Sequence, residues 1–169
     1  MRIFSEGSNW TWVRLALGAL VLALILAKGR GRVAAIQALL AFPLANLITD
    51  LFKKGVPMPR PCNDLADVLG HGIGCSESMG TASAHSANMA AVAFVFVYHL
   101  RWWGSPWVLI ALLTGVSRLY HGAHYPYQVL LGWTCGVVAA IAVTKGAELI
   151  RRKPTDVVTG GPPHEVRNA

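Results

Sequence analysis

Charge is scarce in this chain, and acidic charge scarcest: 8 Asp and Glu stand against 15 Lys and Arg in 169 residues, 54% of which are hydrophobic. A charged fraction of only 14% excludes an ordinary soluble domain of this length. Cysteine is limited to Cys62, Cys75 and Cys135. No Cys-x-x-Cys pair is present, so no metal site is expected. The cations are split among loops and form no basic stripe, which argues against a nucleic-acid partner. Charged groups cluster at the ends of the apolar runs instead of midway along them, which disfavours a transporter. There is no internal repeat. No small-residue cleavage site follows the first apolar run before Lys28-Gly29-Arg30, so that run is expected to stay as a span.

What is present is apolar sequence in long runs. Segments 10–27, 33–52, 83–102, 105–120 and 127–144 mostly approach the roughly 17–25 residues a helix needs to cross hydrocarbon. The sequence therefore predicts an all-α, polytopic transmembrane helical bundle of about five spans. Four to six fit the pattern, because Arg14 interrupts the first run and the fourth is short. Basic residues sort by loop: Lys28, Arg30 and Arg32 after the first run, Arg101 after the third, and Arg151, Arg152 and Lys153 after the fifth. The positive-inside rule places these loops in the cytoplasm, so that segments 53–82 and 121–126 face outward. Anionic headgroups account for the inner cations. Residues 1–153 read as one transmembrane domain, and 154–169, polar and without an apolar period, as a disordered cytoplasmic tail.

Three short polar clusters stand at the predicted outer ends of these runs. Lys53 and Arg60 bracket a proline-rich turn, Pro57, Pro59 and Pro61, stiff enough to hold Lys53 as a point charge and Arg60 as a planar fork against one phosphate. Ordinary interfacial snorkelling explains the same pair. Ser83 can cap the run that follows it, and the small Ala82 and Ala84 let an anion approach the N–H groups of a helix N-terminus. His85 then lies in reach of a leaving-group oxygen, as an acid; the alternative is a cap beside an interfacial histidine. Arg118 ends the fourth run, and His124 precedes Pro126, a residue type favoured at the first helical position. Gln128, four residues after His124, can hold one imidazole nitrogen, fix the tautomer and leave the other nitrogen as a nucleophile. Alternatively, Arg118 and His124 flank the interfacial aromatics Tyr120, Tyr125 and Tyr127. Cys62 and Cys75 share one outer segment, where an oxidising compartment allows a disulfide contributing roughly 3 kcal/mol; the other reading is two unrelated thiols. Cys135 reads as a packing residue.

Taken together, the order Lys-x6-Arg-Pro, Ser-x-His, Ser-Arg-x5-His resembles the type 2 phosphatidic acid phosphatase (PAP2) superfamily. That superfamily includes bacterial membrane lipid phosphatases and glucose-6-phosphatase and is related to vanadium haloperoxidases. The likeness covers about residues 45–135 and extends to Arg60-Pro61-Cys62 and His124-Tyr125-Pro126. It implies hydrolysis of phosphomonoesters or diphosphates without a metal or other cofactor. His124 attacks phosphorus to form a phosphohistidine, and His85 protonates the leaving oxygen and then activates water. Lys53, Arg60, Arg118, Ser83 and the backbone at Ala84 hold the non-bridging oxygens. The implied substrate is a lipid or polyprenyl phosphate or diphosphate, met at the outer face of a bacterial inner membrane. Membrane lipids are the surroundings, and no obligate protein partner is evident.

Two positions depart from the family's pattern. The second motif usually reads Pro-Ser-Gly-His, against Ala82-Ser83-Ala84-His85 here, and alanine at 84 requires a negative φ. Where the pattern places an aspartate this chain has Gln128, which resembles the glucose-6-phosphatase branch. A carboxylate orients the histidine and stabilises its charged form; an amide orients only. In the serine-protease triad an aspartate-to-asparagine exchange lowers kcat by about 10⁴. A catalytically weakened protein that binds anionic lipid is therefore one alternative, and a phosphatase of a soluble sugar phosphate another. A vanadate-dependent oxidase is a third, requiring vanadate and peroxide. His71 and His121 are expected at the mouth and His99 at the inner interface. Asp64, Asp67 and Glu77 read as solvated loop charges, one of which can stand in for the missing aspartate.

Overall fold

The computed structural model describes residues 7–65 and 77–152, which are helical with no strand among them. Helix α1 spans Gly7–Leu26, and Gly29, at φ 96°, turns the chain into α2, Arg30–Gly55. A single turn, α3, covers Pro61–Asp64. Helix α4 runs Ala84–Leu100, a 3-10 turn covers Arg101–Gly104, α5 runs Ser105–Tyr120 and α6 runs Pro126–Arg152. The boundaries follow local chemistry. Pro61, Pro106 and Pro126 sit in first turns, where their missing N–H loses no helical bond. Val56, which precedes Pro57, leaves helical geometry and ends α2. Helix α6 continues past Thr144 to Arg152, with Lys145 and Glu148 paired at 3.2 Å on its surface. Arg151, expected in a loop, is therefore helical, because nothing breaks the helix before Pro154. His71, Asp67, Cys75 and the expected tail lie outside the described residues.

Helix α4 is the centre of the bundle, packed against α2, α5 and α6, while α1 packs on α2 alone among the described elements. The core is small: Ala34, Ala38, Ala41 and Ala45 of α2 meet Ala87, Ala91 and Val95 of α4 and Cys135, Ala139 and Ala140 of α6. Large apolar side chains point the other way, with Leu39, Leu47, Leu113, Val116, Leu130 and Ile141 all exposed. In water each such exposure forgoes about 1.5–3 kcal/mol of burial. In a bilayer the lipid-facing surface is as apolar as the tails, and close backbone packing of small residues holds the helices.

Gly132 and Gly136 show that packing directly. A Cβ on Gly136 would stand 2.0 Å from the Ala87 carbonyl oxygen, and one on Gly132 2.5 Å from that of Ser83. The α6 backbone thus lies on the α4 backbone, which brings the N-terminal ends of both helices together. Arg30–Gly55 and Pro126–Arg151 are long and apolar enough to cross a membrane by length and composition. The architecture is that of a polytopic membrane helical bundle.

Candidate functional site

All three clusters meet at one end of the bundle, tied together by backbone hydrogen bonds between loops. Gly80 N–H donates to Met58 O at 2.8 Å, Cys62 N–H to Gly122 O at 3.1 Å, and Ser83 N–H to Gln128 O at 3.1 Å. Thr81 Oγ accepts from Met58 N–H and donates to Val56 O, binding the proline-rich turn to the segment before α4. Cys62 is disulfide-bonded and Cys135 is a free, buried thiol; Cys75, the expected partner of Cys62, lies outside the described residues.

His124 occupies the centre of this arrangement, 4% exposed, beside a fully buried Gln128. Its Nδ1 lies 3.1 Å from Gly80 O and 3.2 Å from Gln128 Oε1. The amide of Gln128 can face only one way, because Oε1 accepts from Tyr125 N–H at 3.1 Å while Nε2 donates to Pro59 O at 3.0 Å. Both neighbours of Nδ1 are therefore acceptors, so Nδ1 carries the proton and Nε2 holds a lone pair. That lone pair meets Arg60 Nη1 at 3.2 Å. Burial and the Arg60 guanidinium push the His124 pKa down to about 4, and the hydrogen bonds to Gly80 and Gln128 oppose the shift without reversing it. No carboxylate among the described residues raises it, and the ring is neutral at neutral pH.

The cations are held in different degrees. Arg60 Nε donates to Ser78 O at 2.8 Å, Nη2 to Ser78 Oγ at 2.8 Å, and Nη1 to Ala123 O at 3.2 Å. Its pKa is lowered by burial and by the like charge of Arg118. Arg118 makes one long contact, 3.5 Å from Nη2 to Ser117 Oγ, and its buried Nε has no hydrogen-bond partner. Two guanidiniums in electrostatic range of each other, neither ion-paired to a carboxylate among the described residues and one with a buried unpaired donor, suit an anion. Lys53, at the end of α2, pairs with exposed Asp50 at 3.1 Å. Lys53, Arg60 and Arg118 all lie within electrostatic range of His85, which is exposed in the first turn of α4.

Ser83 caps α4 as expected, its fully buried Oγ accepting from Ser86 N–H at 3.4 Å and Ser86 Oγ at 3.0 Å. Ala84 has a negative φ, since Arg101 is the positive-φ non-glycine residue among the described ones, so alanine meets the backbone requirement there. Asp64 does not stand in for the missing aspartate: it accepts from Tyr125 OH at 2.9 Å, while Gln128 and Gly80 take Nδ1. Sequence reasoning missed Gly80, Ser78, Pro59 and Ala123, all four of which act through a backbone carbonyl that no residue type announces. A glycine at 80 was the available signal. A Cβ there would stand 2.8 Å from Gln128 Oε1 and 3.0 Å from Arg60 Cγ.

Helices that cross a membrane and gather two histidines and three cations at one rim define a class of phosphate-handling membrane proteins. The sequence profile of the PAP2 superfamily matches residues 34–152, and the chain belongs to that superfamily. The bacitracin transport permease protein BcrC of Bacillus licheniformis is 29% identical over 133 residues, covering 76% of this chain and 63% of that protein. The undecaprenyl-diphosphatase BcrC of Bacillus subtilis strain 168 is 30% identical over 69 residues, 41% of this chain and 36% of that protein. The chain thus spans less than two thirds of the length of these curated relatives. Among solved structures, Aquifex aeolicus LpxE superposes with a TM-score of 0.59 at 22% identity, covering 78% of this chain and 77% of that one. The first transmembrane PAP2 type phosphatidylglycerolphosphate phosphatase from Bacillus subtilis gives 0.57 at 24% identity, covering 88% and 73%. Both likenesses establish the transmembrane PAP2 fold.

Proposed function

We propose that this protein is a phosphatase of lipid or polyprenyl phosphates or diphosphates that works through a phosphohistidine on His124. The observation that carries the reading is the tautomer: Nδ1–H is held by two acceptors and the Nε2 lone pair points at a guanidinium N–H. In the proposed reaction Nε2 attacks phosphorus as the bond to the leaving oxygen breaks, and His85 supplies that oxygen with a proton. His85 then takes a proton from water, the water oxygen attacks phosphorus, and the P–N bond breaks to return the pair to Nε2. The Arg60 N–H that now caps Nε2 passes to a non-bridging oxygen, and Arg118 Nε and Lys53 meet the others. Such charge placement supplies most of the catalysis in phosphoryl transfer. Because side-chain cations fill that role, the proposal includes activity in the presence of EDTA.

A lipid substrate is favoured because the site lies at the ends of membrane helices, where a phosphate reaches the cations while its chains stay in the bilayer. One relative is named an undecaprenyl-diphosphatase, which supports the polyprenyl diphosphate member of the class. Arg30, Arg32, Arg101 and Arg151, standing at the opposite end, support a site on the outer face of the inner membrane. The test is phosphate release by detergent-purified protein from undecaprenyl diphosphate, phosphatidate and glucose 6-phosphate, in EDTA, with His124→Ala as control. EDTA-resistant release from the lipids, lost in the variant, supports the proposal. Release from glucose 6-phosphate alone transfers it to soluble esters, and no release by folded protein leaves an anion-binding member of the family.

A further inference from the structure

The far ends of the same helices carry a cavity that this chemistry does not use. Helix α2 begins at Arg30 and ends beside Lys53, and α4 begins beside His85 and ends at Leu100. Near the latter end an open cavity of about 1030 Å³ is bounded by Arg30, His99, Arg101 and Ser105 at its polar side and by Val97, Val108, Leu109 and Leu112 at its apolar side. A second, almost wholly apolar cavity of about 310 Å³ shares Val97, Val108 and Leu112 with the first and continues along α4 and α5 to Ala93, Ala111 and Trp133. A cationic mouth thus opens onto an apolar groove running toward the middle of the bundle.

The mouth is held in place. Arg101 is the positive-φ non-glycine residue among the described ones, at φ 58°, a conformation that persists only where its surroundings enforce it. The enforcement is visible at Gly104, where a Cβ would stand 2.5 Å from the backbone of Phe96 and Val97, so the turn is folded hard against α4. His99 is fixed by Gln37 at 2.7 Å. Glu148, the acid on the neighbouring α6, is engaged by Tyr98 OH and by Lys145 and is absent from the cavity lining. Trp102 and Trp103 are 88% and 87% exposed, the disposition of interfacial anchors.

We infer that this end of the bundle is a second lipid site, which holds the phosphate of an anionic phospholipid between Arg30 and Arg101 and one acyl chain in the groove along α4 and α5. Charge selects the occupant: the described lining offers two guanidiniums and no carboxylate, which favours a net anion over a zwitterionic headgroup. Continuity of the two cavities selects a lipid over a soluble phosphate, since the apolar extension has no use for the latter. The inference does not depend on the reaction proposed at His124.

Native mass spectrometry of the full-length protein in mild detergent tests it, with phosphatidylglycerol and phosphatidylcholine in competition. Phosphatidylglycerol is a phosphodiester and so is not a substrate for the proposed monoester or diphosphate chemistry. Wild type is expected to retain phosphatidylglycerol preferentially, and Arg30→Gln/Arg101→Gln to lose roughly thirtyfold of that preference, about 1 kcal/mol for each arginine. Leu109→Trp, which fills the groove and leaves the charges, is expected to reduce retention as well. Arg118→Gln, at the other end, is expected to leave it unchanged. Equal retention of the two lipids by wild type, preference lost only in Arg118→Gln, or displacement of the lipid by inorganic phosphate alone would each overturn the assignment. An unchanged thermal midpoint in the double arginine variant shows that the loss is local.

Discussion

Both ends of the bundle collect arginines, but they do so in different ways. At the His124 end, Arg60 comes from the proline-rich turn, Arg118 from the end of α5 and Lys53 from the end of α2, and hydrogen bonds between three loops bring them to one point. The acids described at this end have other partners than His124: Asp50 pairs with Lys53, and Asp64 accepts from Tyr125 OH. At the other end, Arg30 and Arg101 rim a wide apolar groove, and Glu148 nearby pairs with Lys145. Convergence with a buried unpaired donor suits bond-breaking on a phosphoryl group; an open rim above an apolar wall suits retention. The far end carries the larger excess of cations among the described residues, and the His124 end holds its fewer cations more tightly to the backbone.

The sharpest way to break that contrast is His124→Ala. It is expected to lower turnover by about 10⁴ or more, because the nucleophile is lost, whereas Arg30→Gln leaves turnover unchanged; phosphate release measures both. Next comes Arg118→Ala, with an expected loss of about 10²–10³ in kcat, the range seen when one preorganised donor to a developing oxyanion is removed. Gln128→Ala should be milder, about 10–10², because Gly80 O still accepts from Nδ1–H and keeps the tautomer. A loss near the triad value of about 10⁴ would show that Gly80 O does not suffice.

Acidity separates the ends further. Neutral His124 persists down to about pH 4, so the acid limb of kcat/KM is not set by His124 above that pH. Gln128→Glu puts a carboxylate beside the ring, raises its pKa and moves the acid limb to higher pH; a pH–rate series reads the shift. The smallest effect is on stability. The folded pKa lies below the unfolded value of about 6.5, so the unfolded chain binds the proton more readily. This contribution is full above about pH 6.5 and is lost as pH falls toward the folded value of about 4. The thermal midpoint should fall over that interval, and less so in His124→Ala.

Much of the architecture was legible in the residues. The apolar runs predicted five long helices near their observed positions, since hydrophobicity in runs of helical length is a property of composition. Ser83 as a cap and Pro126 at the head of α6 are equally local. The end of α6 was less legible, because helicity past Thr144 continues in polar sequence on an existing nucleus.

By itself the sequence determined the membrane class, the order of the three clusters and the pairing of His124 with Gln128, because each rests on residue type at short spacing. Only the tertiary structure decided that Gly80 O shares Nδ1, that Ser78 and the His124 lone pair engage Arg60, and that Arg118 Nε is left without a partner. Those outcomes depend on carbonyls and donors brought together across loops by the close contact of α4 with α6 at Gly132 and Gly136. A backbone carbonyl is the same in every residue, so its chemistry is set by where the fold puts it.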